Sequence, residues 1–227
     1  MKRLLFLSTF VLSTFLLSAS ERIKLSNFHE ISVSGSVEVV LVKGVQEYVD
    51  FEMIRGDEDK FHAEVKNGKL SIYLDKEFLW TKSAKAKVTV SYRSIDKLSA
   101  SAGSWVKSDA KIKTPNFAVN TSSGATINIP VEATTLNGQS SSGSILVLSG
   151  DVESAKLTSS SGATLDAGAL KSETAKAQSS SGAWIGIGVK DHLEAHASSG
   201  GSIKYKAASS SCRVDKDTSS GGSISKL

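Results

Sequence analysis

The segment "KLTSSSGATLDAGALKSETAKAQSSSGAWIGIGV", from Lys156 to Val189, carries nearly the same phrase twice. Ser160-Ser161-Gly162-Ala163 returns as Ser180-Ser181-Gly182-Ala183, and each copy runs into an apolar-rich stretch. Aligning on the glycine extends the repeat along the chain. Gly103, Gly124, Gly143, Gly162, Gly182, Gly200 and Gly221 follow one another at steps of 21, 19, 19, 20, 18 and 21 residues. Two places before each stands a serine: Ser101, Ser122, Ser141, Ser160, Ser180, Ser198 and Ser219. Three places after each comes an aliphatic residue, Val106, Ile127, Leu146, Leu165, Ile185, Ile203 or Ile224. Three places before comes only a small one, Ala100, Thr121, Ser140, Ser159, Ser179, Ala197 or Thr218.

Self-similarity at a fixed period near 20 residues is the signature of a solenoid. Around each glycine the apolar rhythm is close to two, as in "TINI" (126–129), "ILVL" (145–148), "WIGIGV" (184–189) and "SIKYKA" (202–207). Such runs are short strands, not helices. The expectation is an all-β, parallel β-helix whose coils stack about 4.8 Å apart through ladder hydrogen bonds. Ser-Ser-Gly then has a constructional role. Glycine accepts the positive φ of a corner, small neighbours let coils approach closely, and stacked serines satisfy polar groups there. Ser122/Gly124, Ser141/Gly143, Ser160/Gly162, Ser180/Gly182 and Ser198/Gly200 are the clearest such corners.

The 227 residues suffice for a sizeable core, and 40% hydrophobic with 22% charged residues describes a folded chain. The N-terminus "MKRLLFLSTFVLSTFLLSAS" has the basic start, apolar run (Leu4 to Leu17) and small residues (Ser18, Ser20) of a secretory signal peptide, with cleavage after Ser20. No later segment is apolar enough to span a bilayer, so no integral membrane segment is expected after cleavage. Without Lys2 and Arg3 the balance is 25 basic against 23 acidic residues, scattered along the chain, which argues against a nucleic-acid partner. The single cysteine, Cys212, cannot form an internal disulfide and reads as a small packed residue.

Residues 21–98 carry the phrase weakly, although "SVSGSVEVVLV" (32–42) resembles an early copy. The remainder is strand-like, and Asn67-Gly68 between alternating runs predicts a hairpin with a type I′ turn. A solenoid exposes its core at an open end, so this part is expected to act as a cap on a single unit spanning 21–227, with the repeats over 99–227. The succession "FHEISVSGSVEVVLVKG", "VKNGKLSIYL", "SIDKLSASAGSWV" and repeated "SSGA" resembles the bacterial head GIN domain family over essentially the whole mature chain. The resemblance implies a right-handed parallel β-helix, export and a proposed role in cell adhesion, with no established enzyme activity. Many relatives have Gly-Ser-Gly-Asp-like corners where this chain has Ser-Ser-Gly-Ala, which argues against acidic or metal-binding corners here.

β-Helical polysaccharide lyases and hydrolases use clustered carboxylates on one sheet face. The ten acids between Asp109 and Asp217 fall in different repeat columns, and Asp151 with Glu153 reads as a solvated pair. His192 and His196 in "DHLEAH" lie about 13 Å apart if extended, too far to share one metal ion. No histidine column accompanies the serines, so no activated nucleophile is expected. No catalytic, metal or cofactor-binding residue is assigned and no cofactor is expected. The candidate contact residues are Trp105 and Trp184, two places after corner glycines, with Thr126, Ile145 and Thr164 in the same column between them. Alternation with the inward aliphatic residue turns this stripe outward.

The functional expectation is a secreted, non-catalytic, adhesin-like module, found in the periplasm, on the outer surface or outside the cell, that binds a glycan or protein surface. An envelope scaffold is the alternative, and a polysaccharide-active enzyme comes third. The chain stops at "SSGGSISKL" in mid-coil, which predicts an open strand edge suited to self-association. An autonomous auto-transporter is not expected at this length.

Overall fold

A computed structural model describes residues 21–75 and 84–227, so the signal peptide expected over 1–20 lies outside the described residues. The strands are β1 (Glu21–Lys24), β2 (Glu30–Ser34), β3 (Val37–Lys43), β4 (Tyr48–Arg55), β5 (Phe61–Lys66), β6 (Lys69–Leu74), β7 (Lys85–Tyr92), β8 (Lys97–Ser101) and β9 (Trp105–Ser108). They continue with β10 (Ile112–Lys113), β11 (Asn116–Thr121), β12 (Thr126–Ser140), β13 (Ile145–Ser159), β14 (Thr164–Ser179), β15 (Trp184–Ala197), β16 (Ser202–Ala207), β17 (Arg213–Thr218) and β18 (Ser223–Lys226). The stack is a parallel β-helix of about six turns, the number that seven corner phrases enclose.

Each phrase makes a two-residue turn. Gly143 has φ +67° and the preceding Ser142 has φ +53°; the same pair of positive values recurs at every repeat corner from Ala102-Gly103 to Ser220-Gly221. Two consecutive left-handed residues define a type I′ turn. The Ser144 N–H accordingly donates to the Ser141 carbonyl at 3.2 Å, closing it. The sequence reading placed the left-handed conformation on the glycine alone, whereas the residue before it shares it. The turn closes in two residues and leaves its central amide free to point along the stack. That amide is used: Gly124 N–H donates to the Ser142 carbonyl (3.1 Å), Gly143 to Ser161 (3.1 Å) and Gly162 to Ser181 (3.0 Å). Asn67-Gly68 adopts the same conformation, at φ +52° and +73°, between antiparallel β5 and β6.

With the corners in register, the inward residues stack as ladders. Val39, Val106, Ile127, Leu146, Leu165, Ile185 and Ile203 are partners in successive strands and all fully buried. Each contributes about 1.5–3 kcal/mol. Beside the corner runs a buried hydroxyl ladder. Thr121 Oγ1 is 3.0 Å from Ser140 Oγ, Ser144 Oγ donates to the Ser141 carbonyl (2.7 Å), and Ser159 and Ser179 donate to the Ala163 and Ala183 carbonyls (3.1 and 2.8 Å). These hydroxyls satisfy themselves inside the fold, so their burial carries no penalty of an unmet donor. A second bend follows where two successive residues face outward, at Thr134-Thr135, Glu153-Ser154 and Glu173-Thr174.

The N-terminal strands do not stack in chain order. β2 lies between β6 and β8, and β3 between β7 and β9, so the coil over residues 30–43 is sandwiched between later ones. Beyond them β1, β4 and β5 run antiparallel, and Phe51 stacks on Phe61 with ring centroids 4.1 Å apart. At the other end, among the described residues, β17 pairs only with β15 and β18 only with β16.

Gly143 and Gly150 share a positive φ, +67° and +106°, but differ in space: a methyl at Gly143 meets no atom within 4 Å, whereas one at Gly150 also collides with the Val131 carbonyl. Gly143→Ala is expected to cost about 1–2 kcal/mol in equilibrium urea unfolding, and Gly150→Ala distinctly more. Equal losses would show that packing against the neighbouring coil is not what Gly150 protects.

Candidate functional site

Two outer surfaces bring functional side chains together. The first is the stripe read from the sequence. Trp105, Thr126, Ile145, Thr164 and Trp184 are register partners in successive strands β9, β12, β13, β14 and β15. Their backbones span about 19 Å along the stack at the strand spacing. Trp105 is 36% and Ile145 42% exposed, and the other three are half-buried. The row continues past the corner repeats, because Glu38 of β3 is the partner of Trp105, and Lys87 of β7 the partner of Glu38. Sequence reasoning missed this extension, since it arises from coils that stack out of chain order.

Parallel to the stripe, two residues further along each strand, runs Lys107, Asn128, Val147, Asp166, Gly186 and Lys204. The one glycine in this second row is where the Trp184 indole lies down. A methyl on Gly186 would sit 2.5 Å from Trp184 Cη2 and about as close to two more ring atoms, 3.1 and 3.2 Å away. The missing side chain therefore lets the indole lie along the sheet. At the other end Lys107 Nζ is 5.7 Å from the Trp105 ring centroid, a cation–π contact.

The second surface is a groove of about 690 Å³ beside the second bend, crossing successive coils from Lys113 to Lys190. It corrects the expectation that the acids lie in unrelated columns. Glu132 is the register partner of Asp151 and Asp151 of Lys171, while Glu153 and Glu173 occupy equivalent places on adjacent coils. Glu132 and Asp151 stand in one column of the glycine alignment, eight places after Gly124 and Gly143, whereas a bulge between Val147 and Ser149 shifts Lys171 and Glu173 by one place and hides their correspondence. Lys111 Nζ bridges Asp151 (2.8 Å) and Glu132 (3.6 Å), Lys113 reaches Glu132 at 3.0 Å, and Lys190 lies 3.6 Å from Glu173. Lys113 holds the Glu132 carboxyl below the usual carboxylate range, and Lys111 does the same for Asp151. A general acid needs the opposite shift.

The two histidines singled out in the sequence stand on β15, and each has its own aspartate on β17. His192 Nε2 is 2.9 Å from Asp215 and His196 Nδ1 is 2.8 Å from Asp217. They tie the last coil to the one before. Cys212 is half-buried against the core, and desolvation raises its thiol pKa, which makes it a poor nucleophile.

The sequence model of the family described as "Putative auto-transporter adhesin, head GIN domain" matches residues 27–208. Among solved structures, a "putative adhesin" from Bacteroides fragilis superposes with a TM-score of 0.81 at 18% identity, covering 92% of this chain and 96% of its own. A "putative adhesin" from Parabacteroides merdae gives 0.70 at 14% identity over 92% and 95%. A "Putative lipid binding protein" from Parabacteroides distasonis gives 0.69 at 18% over 92% and 96%. At these identities the likeness carries the fold. No curated protein matches the chain.

Gly186→Ala is expected to lift the Trp184 ring into solvent and red-shift the tryptophan emission, with little change in the far-ultraviolet circular dichroism. An unshifted spectrum would mean that the ring does not depend on that glycine. The groove has a pH signature. Because Glu132 and Asp151 have lowered folded-state pKa values, their pairing stabilises the fold above the ordinary carboxylate range and is lost as pH falls through the lowered values. The melting-temperature gap between wild type and Lys111→Met should therefore be steady near neutrality and close below about pH 4.

Proposed function

Because the chain belongs to the head GIN family of auto-transporter-type adhesins, we propose that it is an exported, non-catalytic binding module of the bacterial envelope, which holds a glycan or protein surface on the Trp105–Trp184 stripe. The observation that carries this reading is the register of the five residues: two indoles and an isoleucine, separated by threonines, on one open sheet face. Aromatic faces with interspersed hydroxyls match a ligand that is flat and apolar on its face and polar at its edges. The adhesin-type family supports surface exposure or export, and the leader-like N-terminus supports export.

The carboxylate groove does not favour the polysaccharide-active enzyme. Glu132 and Asp151 are both ionised and engaged by lysines, whereas glycoside cleavage needs one protonated and one free carboxyl flanking the bond.

The test combines place and binding. Protease added to intact producing cells should remove the protein while a periplasmic control survives, and protection until permeabilisation would instead favour an internal envelope scaffold. Retention of the purified mature chain on immobilised polysaccharides and matrix proteins should fall about tenfold for each of Trp105→Ala and Trp184→Ala. Lys111→Met in the groove should leave retention unchanged. Full retention by both tryptophan variants would remove the stripe from the contact surface.

A further inference from the structure

Trp105 borders a cleft of about 480 Å³ lined by residues of β4, β7, β3 and β9, which are adjacent strands. Five ionic side chains line it. The three carboxylates are engaged. Asp50 receives two hydrogen bonds from the Arg22 guanidinium (2.8 and 2.7 Å), Glu38 is 2.6 Å from Lys85 Nζ, and Glu52 also has a partner. The two ammonium groups differ. Neither Lys87 nor Lys107 makes an ion pair or hydrogen bond with a described residue, and Lys107 rests only against the Trp105 ring. The cleft thus presents an exposed indole beside two ammonium groups that form no ion pair among the described residues, although Lys87 stands in register between Glu38 and Glu52.

We propose that this cleft is a subsite for an acidic pyranose of a polysaccharide. The C–H face of the sugar stacks on Trp105, and Lys87 and Lys107 receive its carboxylate or sulfate. The inference rests on the reading of the stripe as the contact face and names the ligand chemistry at one end of it. Stacking selects a flat ring with one apolar face. An anion bound by two ammonium groups unpaired among the described residues gains charge-assisted hydrogen bonds without first breaking an ion pair such as those that hold Lys113 and Lys190 in the groove. The neighbouring carboxylates do not repel it at full strength, because Arg22 and Lys85 neutralise two of them. Trp184 lacks this arrangement. Its neighbours in the adjacent row are Gly186, Asp166 and Lys204, so the acidic sugar is assigned to the Trp105 end.

The test measures binding of the mature chain to four soluble polymers by tryptophan fluorescence and calorimetry: dextran, dextran sulfate, polygalacturonate and poly-L-glutamate. Dextran sulfate or polygalacturonate should bind about tenfold tighter than dextran at low salt, with the advantage shrinking as ionic strength rises. Which of the two binds better distinguishes sulfate from carboxylate as the anion. Lys87→Gln combined with Lys107→Gln, both surface changes, should abolish the advantage of the acidic polymers over dextran. Trp105→Phe should retain most of the affinity and Trp105→Ala should lose it. Equal binding of dextran and the acidic polymers, with Trp105→Ala still weakening both, would overturn the acidic-sugar assignment while leaving the stripe in place. Poly-L-glutamate binding as tightly as polygalacturonate, indifferent to Trp105→Ala, would reduce the effect to charge alone and overturn it as well. No binding of any polymer would overturn the subsite and the glycan reading of the stripe together.

Discussion

A chain that coils upon itself every 20 residues must reverse its direction within a few residues and still leave its peptide groups available to the next coil. The corner meets both demands with two left-handed residues. The turn closes internally through the i to i+3 hydrogen bond, as from Ser144 to Ser141, and the glycine amide is left aimed along the stack at the next corner. The conformation is unfavourable for the serine by about 1–2 kcal/mol. The repeated hydrogen bond and the close stacking of coils offset it, and a small side chain at the turn faces solvent without obstructing its copies above and below.

Register follows from that corner. Once successive corners are joined, the third residue after each glycine lands under its counterpart, which produces the continuous aliphatic column from Val39 to Ile203. A slip of one residue would send the whole column outward. The hydroxyls of Thr121, Ser140 and Ser144 fill the space next to the turn and bond to one another and to the Ser141 carbonyl. The same register governs the outside, so any outward position becomes a row of residues about 4.8 Å apart. An outward stripe is therefore a by-product of the corner, and its character needs only the choice of side chain at one position per coil.

This dependence explains which features can be read from the sequence. The corner glycines, the aliphatic column and the Trp105–Trp184 row all lie within a few residues of the phrase, where spacing is constant, so alignment on Gly103 to Gly221 recovers them. Glu132 and Asp151 share a column, eight places after Gly124 and Gly143, but Lys171 stands nine places after Gly162, because the bulge after Val147 shifts the register. The approach of Lys87 and Glu38 to Trp105 depends on the coil of β2 and β3 being flanked by later strands. No local period records that order. The position of the Trp184 ring depends on the absence of a side chain at Gly186, which pattern alone reads as one more strand residue.

The two outer surfaces differ in what an incoming ligand must displace. In the groove, Lys111, Lys113 and Lys190 already hold carboxylates, and a charged ligand would exchange one satisfied contact for another, with little net gain. Along the stripe, Trp105 and Ile145 are exposed, so contact there releases water from apolar surface and breaks no ion pair. The asymmetry assigns the two surfaces different physical work: lysine–carboxylate pairs link successive coils across the groove, while the stripe retains unspent contact energy. On a solenoid whose interior is filled by identical ladders from coil to coil, that difference in what remains unsatisfied distinguishes one face from another.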